Sequence, residues 1–483
     1  MNLVELLHAS AHRHAHRPVV TDVRSGHSLR YADLAVEVER VEKFLTGAGV
    51  RPGQRIGLLA PNGTAYLPAA FGLLATGACL VPIAANLTAA EMTKIAREVE
   101  VNGWLAWPEA NPPATSRDRR RLAGGECDGF TFEWIARDIE GPAALGRLNP
   151  AFIRFTSGTT ADCKGVVLSH EATAARVEAA DQVLRFSEDD RILWVLPLAY
   201  HFAVTIVAYV RAGAHILLCA DTLPGAIVDA IRRLRASVLY ASPLHFERLS
   251  NLAPTGPLAG LRLALSTSAP ISPAVMERFQ DVYGVAVGQA YGIIEAGLPC
   301  INVDGTPASS VGRAVPGYEV AVLSDTGKTV PPGTSGEIGV RGAGLFSAYY
   351  APWQLREDVA RHGWFLTGDI GRLDADGALY LEGRKKAVIF VAGLKFFPEE
   401  VEDCINQFPG VKESRVFATP HPHLGQVPRA EVAFATPRPD LEALAAHCAR
   451  ALSPYKVPVE FVVVDATART PGGKLLRRQE DRA

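Results

Sequence analysis

Five consecutive residues, Thr156, Ser157, Gly158, Thr159 and Thr160, are followed closely by Lys164 and Gly165. Hydroxyls and unhindered backbone N–H groups are the donors a polyphosphate needs. Gly158 lets the backbone approach closely, and Lys164 adds a positive charge. The spacing is not that of the GxxxxGK[ST] loop, and a Ser/Thr/Gly run alone reads equally well as a surface turn. Four later stretches carry further chemistry. QAYGIIEAG holds Tyr291, Gly292 and Glu295, and FLTGDIG holds Thr367, Gly368 and Asp369. EGRKKAVIFVAG holds Gly383, Arg384 and Gly393, and RTPGGKLLRR holds Thr470, Gly472, Gly473 and Lys474. Each has a bland reading too: Glu295 as an acid at a helix start, Asp369 as an Asx turn, Tyr291 as a core ring, Lys474 as a solvated tail residue.

The hydroxyl loop follows the apolar run 151–153 and precedes VVLSH, so it is expected between two strands. Upstream, residues 32–45 read as an amphipathic helix that stops near Gly47. RIGLLA (55–60) reads as a buried strand, 64–77 as a helix, 81–83 as a short strand and 88–98 as a helix. That order implies a parallel sheet with crossover helices. Residues 106–150 are weaker in pattern, and the basic run 117–121 reads as a solvated loop.

Downstream a second α/β series is expected. It has a helix at 171–183, strands at RILWVLPL and 215–220, a helix at 225–235, and strands at 237–243, 261–266 and 285–289. From about 318 short alternating segments between Gly/Pro turns suggest a β-rich subdomain, and LDADGALYLEGR signals a hairpin. Residues 387–483 mix four strands with helices at 398–408 and 440–451, enough for a small α+β domain. The fold class is therefore α/β, a large N-terminal domain over 1–383 with its β-rich subdomain at 318–383, then a small C-terminal domain from 387.

The chain of 483 residues has ample length for such a core. Its formal net charge of -2 gives no electrostatic reason to propose nucleic acid as a partner. Seven scattered cysteines form no CxxC pair, which points to a reducing, cytoplasmic setting without a disulfide framework or zinc site. The N-terminus lacks the basic start and apolar core of a signal peptide, and its histidines are expected on a solvated helix face. The uncharged run 66–85 is about long enough to span a membrane. Pro68, Gly72, Gly77 and Pro82 interrupt it, so a buried helix leading into a strand is the better reading, with no membrane partner.

Together and in this order, the five stretches resemble the adenylate-forming superfamily of acyl-CoA synthetases, peptide-synthetase adenylation domains and luciferases. LPLAYHF, GEIGVRG and SPYKVP extend the resemblance over essentially the whole chain. The resemblance implies activation of a carboxylic acid by ATP, giving an acyl-adenylate and pyrophosphate, then transfer to a thiol. It implies that the 156–165 loop, including Thr160 and Lys164, holds the β- and γ-phosphates, and that Glu295 holds Mg²⁺. Asp369 would accept from the ribose hydroxyls, and Arg384 would add a ribose or phosphate contact. Tyr291 would stack on adenine, with Gln289, Ala290, Gly292 and the backbone of Ser268, Ala269 and Pro270 beside it. Lys474 would bridge the carboxylate and the α-phosphate. The resemblance also makes the small domain a mobile lid turning about Lys386 in the 384–386 hinge, with Gly393 opening a path for a pantetheine arm.

The chain departs from the family in four places. Ala161 and Cys163 stand where the loop has glycine and proline. Ile294 replaces the threonine before Glu295, and Thr267 replaces a glycine at the wall of the acyl pocket. A branched side chain at Thr267 predicts a shallow pocket and a small or short acid. The stretch Tyr200-His201-Phe202-Ala203-Val204 lacks the aspartate that amino-acid-activating members use, which argues against a free α-amino acid. His201, Phe202, Tyr240, Ser242, Ile293 and Ile294 are the other expected lining residues, along with His245; a packed, satisfied histidine is the rival reading for His201. The leading function is an acid–thiol ligase with CoA as acceptor. The alternatives are loading of an acyl-carrier protein through its phosphopantetheine thiol, transfer to a non-thiol acceptor as in natural-product biosynthesis, and a degenerate nucleotide-binding scaffold.

Overall fold

The computed structural model describes residues 2–469 except 86, 111, 114–118, 156–164, 254–255, 392–393, 423 and 436–439, with backbone alone at 386, 390, 395 and 425. The chain divides into two compact units. The first comprises Met1–Thr156, Cys163–Val320 and Val340–Phe365, and the second includes Ala321–Gly339 and Leu366–Ala483. Gly383 lies within the second.

The first unit is built on two nine-stranded sheets. In one, the strands Pro18–Asp22, His215–Leu218, Arg191–Trp194, Val238–Ala241, Leu263–Ser266 and Val287–Ile293 lie side by side and parallel. Antiparallel strands finish both edges, Ser28–Arg30 on one side and Gly297–Asn302 and Arg313–Ala314 on the other. In the second sheet, Pro150–Phe155, Cys79–Ile83, Arg55–Leu59 and Gly103–Ala106 are parallel neighbours. These inner strands read as nearly continuous apolar runs because helices cover the faces of a parallel sheet.

The helices connecting these strands are set by local signals. Thr88 and Glu91 close a reciprocal cap on Ala89–Glu98, with the Glu91 N–H donating to Thr88 Oγ1 at 3.3 Å and the Thr88 N–H to Glu91 Oε2 at 2.7 Å. Ser169 caps His170–Leu184 by accepting from the Ala172 N–H at 3.0 Å. Tyr66–Ala75 is buried on every side until its last residue and leads into Cys79–Ile83, as the interrupted apolar run implied. Among the described residues no helix is long and apolar enough to cross a membrane. On Leu3–Arg13, His8 and His12 are exposed.

Two local expectations are corrected. Arg119–Arg121 is an exposed edge strand paired antiparallel with Thr131–Trp134, not a loop. Charged side chains on an edge discourage further pairing. The strand expected over RILWVLPL ends at Trp194. Asn62 stops it by clamping the turn that follows, donating to the Leu196 carbonyl and accepting from the Leu198 N–H, both at 2.8 Å. A short helix, Leu198–His201, then runs into a π-helical turn, Phe202–Ile206. Such turns take up an extra residue, which re-aims the side chains around them.

The expected hairpin forms, Phe365–Leu373 against Leu379–Arg384, and from Leu366 onward it belongs to the second unit. Asp374 Oδ1 closes its turn by accepting from the N–H groups of Asp376 and Ala378. In the C-terminal part, Leu394–Phe396, Ile389–Val391, Gly425–Phe434 and Val411–His421 form a sheet, and Glu460–Val463 pairs with Gly425–Phe434. The helices Pro398–Asn406 and Leu441–Ala451 supply Val401, Ile405 and Leu444 to a core with Val416 and Val432. The six described cysteines are all buried and unpaired. Burial pushes the Cys79, Cys127 and Cys300 thiols well above their usual range, so they are not nucleophiles.

Candidate active site

The strands Pro150–Phe155 and Gly165–Ser169 pair antiparallel with Phe155 opposite Gly165, which brings the two ends of the hydroxyl loop together. The loop itself, Thr156, Ser157, Gly158, Thr159, Thr160, Ala161, Cys163 and Lys164, lies outside the described residues, as do Gly393, Thr470, Gly472, Gly473 and Lys474. Gly165 has no room for a side chain: a Cβ there would sit 2.9 Å from Val99 Cγ1.

Glu295 stands in the turn between Val287–Ile293 and Gly297–Asn302 and is half-buried. Its Oε1 accepts a hydrogen bond from the Tyr349 hydroxyl at 3.0 Å. Burial first, and the Glu295 carboxylate second, push the Tyr349 hydroxyl well above its usual range, so it remains a donor. The turn is held from behind by Arg176, which is 2% exposed on the His170–Leu184 helix. Its guanidinium donates to the carbonyls of Ile294 at 3.0 Å, Glu295 at 3.3 Å and Gly344 at 2.9 Å. The Ile294 carbonyl is thus engaged, and its side chain offers no hydroxyl. Gly292 is required by close packing, because a Cβ would lie 2.8 Å from the Gly297 carbonyl oxygen. Tyr291 and Ala290 are buried, while the Gln289 side chain donates to the carbonyls of Ala308 at 2.9 Å and Ser310 at 3.1 Å.

The neighbouring parallel strands supply the residues expected around the acyl group. Tyr240, 1% exposed, donates to Thr267 Oγ1 at 3.1 Å and stacks on Trp194 with ring centroids 5.6 Å apart. The His201 ring meets both at an angle, 5.4 Å from Trp194 and 6.0 Å from Tyr240. Ser242 Oγ lies 2.7 Å from His245 Nδ1, and burial depresses the His245 imidazole to about 4. Ser268 has φ +78°, a conformation that side chains other than glycine's seldom adopt, and it turns the chain so that Ala269 and Pro270 are exposed. Ile293 is half-buried. Phe202 sits in an aromatic cluster with Tyr66, Phe71 and Phe152 at 5.8, 5.2 and 6.2 Å, committed to core packing.

In the second unit, Asp369 and Arg384 are register partners across the hairpin. Asp369 Oδ1 accepts from Arg384 Nε at 2.6 Å, and the Asp369 N–H donates to Thr367 Oγ1 at 3.1 Å. Asp369 is within a strand, so the Asx-turn reading falls. Lys386 follows in a short 3₁₀ turn, Lys385–Ala387. Among the described residues no cluster of three or more His, Cys, Asp or Glu converges on a metal position. One fixed carboxylate, Glu295, is nevertheless enough for a hard cation that takes its other ligands from phosphate and water.

Reading by motif passed over Arg154, Arg176 and Tyr349. The available signal was a charge inside an apolar strand, AFIRF, and another inside an alanine-rich helix, EATAARVEAA. Nothing local marks Tyr349, which reaches Glu295 from 54 residues away.

The first unit thus carries a carboxylate clamped in the turn after Val287–Ile293, and the second an Asp–Arg pair across a hairpin. The profile of the AMP-binding enzymes matches residues 7–350, and that of the AMP-binding enzyme C-terminal domain matches 400–474. The chain belongs to this family. It is 31% identical over 474 residues to a feruloyl-CoA synthase from an Amycolatopsis species, covering 95% of each chain. It is 29% identical over 494 residues to a sulfoacetate–CoA ligase from Cupriavidus necator, covering 98% of this chain and 96% of that protein. The structure of ATP-bound MatB from Rhodopseudomonas palustris superimposes with a TM-score of 0.84 at 23% identity, covering 99% of this chain and 97% of that one. Within the family the chain is an AMP-forming ligase of the acid–CoA type.

Proposed function

We propose that this enzyme activates a short carboxylic acid with ATP and passes the acyl group to the thiol of CoA. The Thr267–Tyr240 hydrogen bond carries the size preference. It holds a branched side chain where a long acyl chain would need space, and Trp194 stacked on Tyr240 keeps that wall rigid. Charge develops on the α-phosphate as the carboxylate attacks, so donors and cations must converge there. In this reading the 156–165 loop binds the β- and γ-phosphates, Lys474 bridges the carboxylate and α-phosphate, and Asp369 and Arg384 hold the ribose. Tyr291 stacks on adenine against the 268–270 backbone. Glu295 is where Mg²⁺ would be held, its carboxylate aimed by Tyr349. When bound, the ion neutralises charge on the departing pyrophosphate.

For the second half-reaction, Lys386 is the hinge and Gly393 the thiol tunnel, with domain limits at 1–383 and 387–483. The unpaired thiols support a cytoplasmic setting. The test is acyl-adenylate formation with acids of two to sixteen carbons, followed by thioester formation with CoA or with a phosphopantetheinylated carrier protein. Thioester on CoA alone with short acids is the expected result. Efficient use of palmitate, or transfer only to the carrier, overturns this reading.

A further inference from the structure

The inner strand Pro150–Phe155 is apolar at every position but one. Arg154 is 6% exposed there. Its neighbours Ile153 and Phe155 pack into the cluster around Val81 and Trp104. Strand alternation therefore sends Arg154 to the other face, with Phe152, whose ring lies 6.2 Å from Phe202. One guanidinium nitrogen donates to the Tyr200 carbonyl, in the 200–204 stretch that precedes and enters the π-helical turn. A guanidinium has five N–H donors, and among the described residues no carboxylate forms an ion pair with Arg154. On the same side, the Tyr66 hydroxyl is buried without a hydrogen-bond partner, its ring 5.8 Å from Phe202. Burial is the main influence lowering the Arg154 guanidinium, to about 10, which leaves it cationic at neutral pH.

The Glu295 carboxylate acts on Arg154 from beyond ion-pair distance; a buried cation with no carboxylate in direct contact is costly, and so is a buried orphan hydroxyl. Both costs are removed by an anionic ligand. Arg154 is the last residue but one of its strand, beside Phe155, which pairs with Gly165, so the ligand would sit near that end of the sheet. We propose that Arg154 is a specificity-determining residue that receives a second anionic group of the acyl substrate, a carboxylate or sulfonate, with Tyr66 as an added donor. The preferred substrates are then short acids with an anion at each end. This rests on the acid-activation reading above.

The test is acid-dependent ATP–pyrophosphate exchange by the full-length enzyme. The panel is malonate, succinate, glutarate and 3-sulfopropionate, compared with propanoate, butanoate, pentanoate and monomethyl succinate. A site built around a buried charge should favour the doubly anionic acids about 100-fold or more in kcat/KM. Arg154→Met should bring them down to the level of the monoacids while monoacid turnover holds within about threefold, and Tyr66→Phe should lower the same ratio less. Relative rates of succinate and 3-sulfopropionate then tell carboxylate from sulfonate. An equal loss across all acids in Arg154→Met would assign the arginine to the reacting carboxylate, the α-phosphate or the fold, and would overturn the proposal. If Arg154→Met is not recovered folded, the wild-type comparison decides, and preference for butanoate or monomethyl succinate over succinate overturns it. Exchange with monoacids only sinks this inference and leaves acid activation standing; exchange with no acid sinks both.

Discussion

Replacing Thr267 by glycine tests its proposed place at the wall of the acyl pocket. Thr267 is 5% exposed, and its Oγ1 is the acceptor for the buried Tyr240 hydroxyl at 3.1 Å. Removing the side chain frees space for about two methylenes of acyl chain. At about 0.8 kcal/mol per buried methylene, acids two carbons longer should gain about 1.6 kcal/mol, or about 15-fold in kcat/KM. The fold pays for this, because the Tyr240 hydroxyl loses its acceptor at a cost of about 1–3 kcal/mol. Adding Tyr240→Phe removes the orphaned hydroxyl and should recover most of that loss without changing the new length preference. The assay is a chain-length series in ATP–pyrophosphate exchange beside thermal melting of the wild type, both single variants and the double variant. An unchanged length profile in Thr267→Gly, with the protein folded, would show that this side chain does not bound the acyl pocket.

Lys474→Ala should abolish acyl-adenylate formation yet spare thioester formation from a supplied acyl-adenylate; equal survival of both steps would remove its assigned role. Glu295→Gln keeps the acceptor for Tyr349 but removes the charge. It should raise the Mg²⁺ concentration for half-maximal exchange about tenfold or more with little change in melting temperature. Stability should fall in acid. Burial depresses the imidazoles of His170, His215 and His245 to about 4 in the folded chain, against about 6.5 unfolded. Between those values the unfolded state holds more protons, so stability is full above about pH 6.5 and declines as pH falls toward 4. Melting temperatures from pH 7 to 4 check this, and His215→Gln should flatten the decline; a flat wild-type profile would contradict it.

Much of the fold was legible because burial leaves a period in the residues. The helix read over 32–45 is Tyr31–Gly47, and that read over 88–98 is Ala89–Glu98. The hairpin read from Asp-Gly pairs Asp369 with Arg384. What escaped depends on distant partners. The basic run 119–121 becomes a strand only because Thr131–Trp134 offers it an edge. The π-helical turn after His201 and the clamp of Asn62 on residues 196–198 are tertiary devices with no local period. The motif residues Asp369 and Arg384 could be named from sequence, but not their mutual ion pair. Arg154 was hidden by its surroundings, since four apolar neighbours in AFIRF made the strand obvious and its one charge easy to pass over.

The most direct measurement is radiolabelled pyrophosphate exchange into ATP by the purified chain, with and without short carboxylic acids. Exchange that requires both Mg²⁺ and a short acid, and yields AMP and an acyl thioester once CoA is added, is the predicted result. No exchange with any acid, or ADP as the nucleotide product, would contradict it.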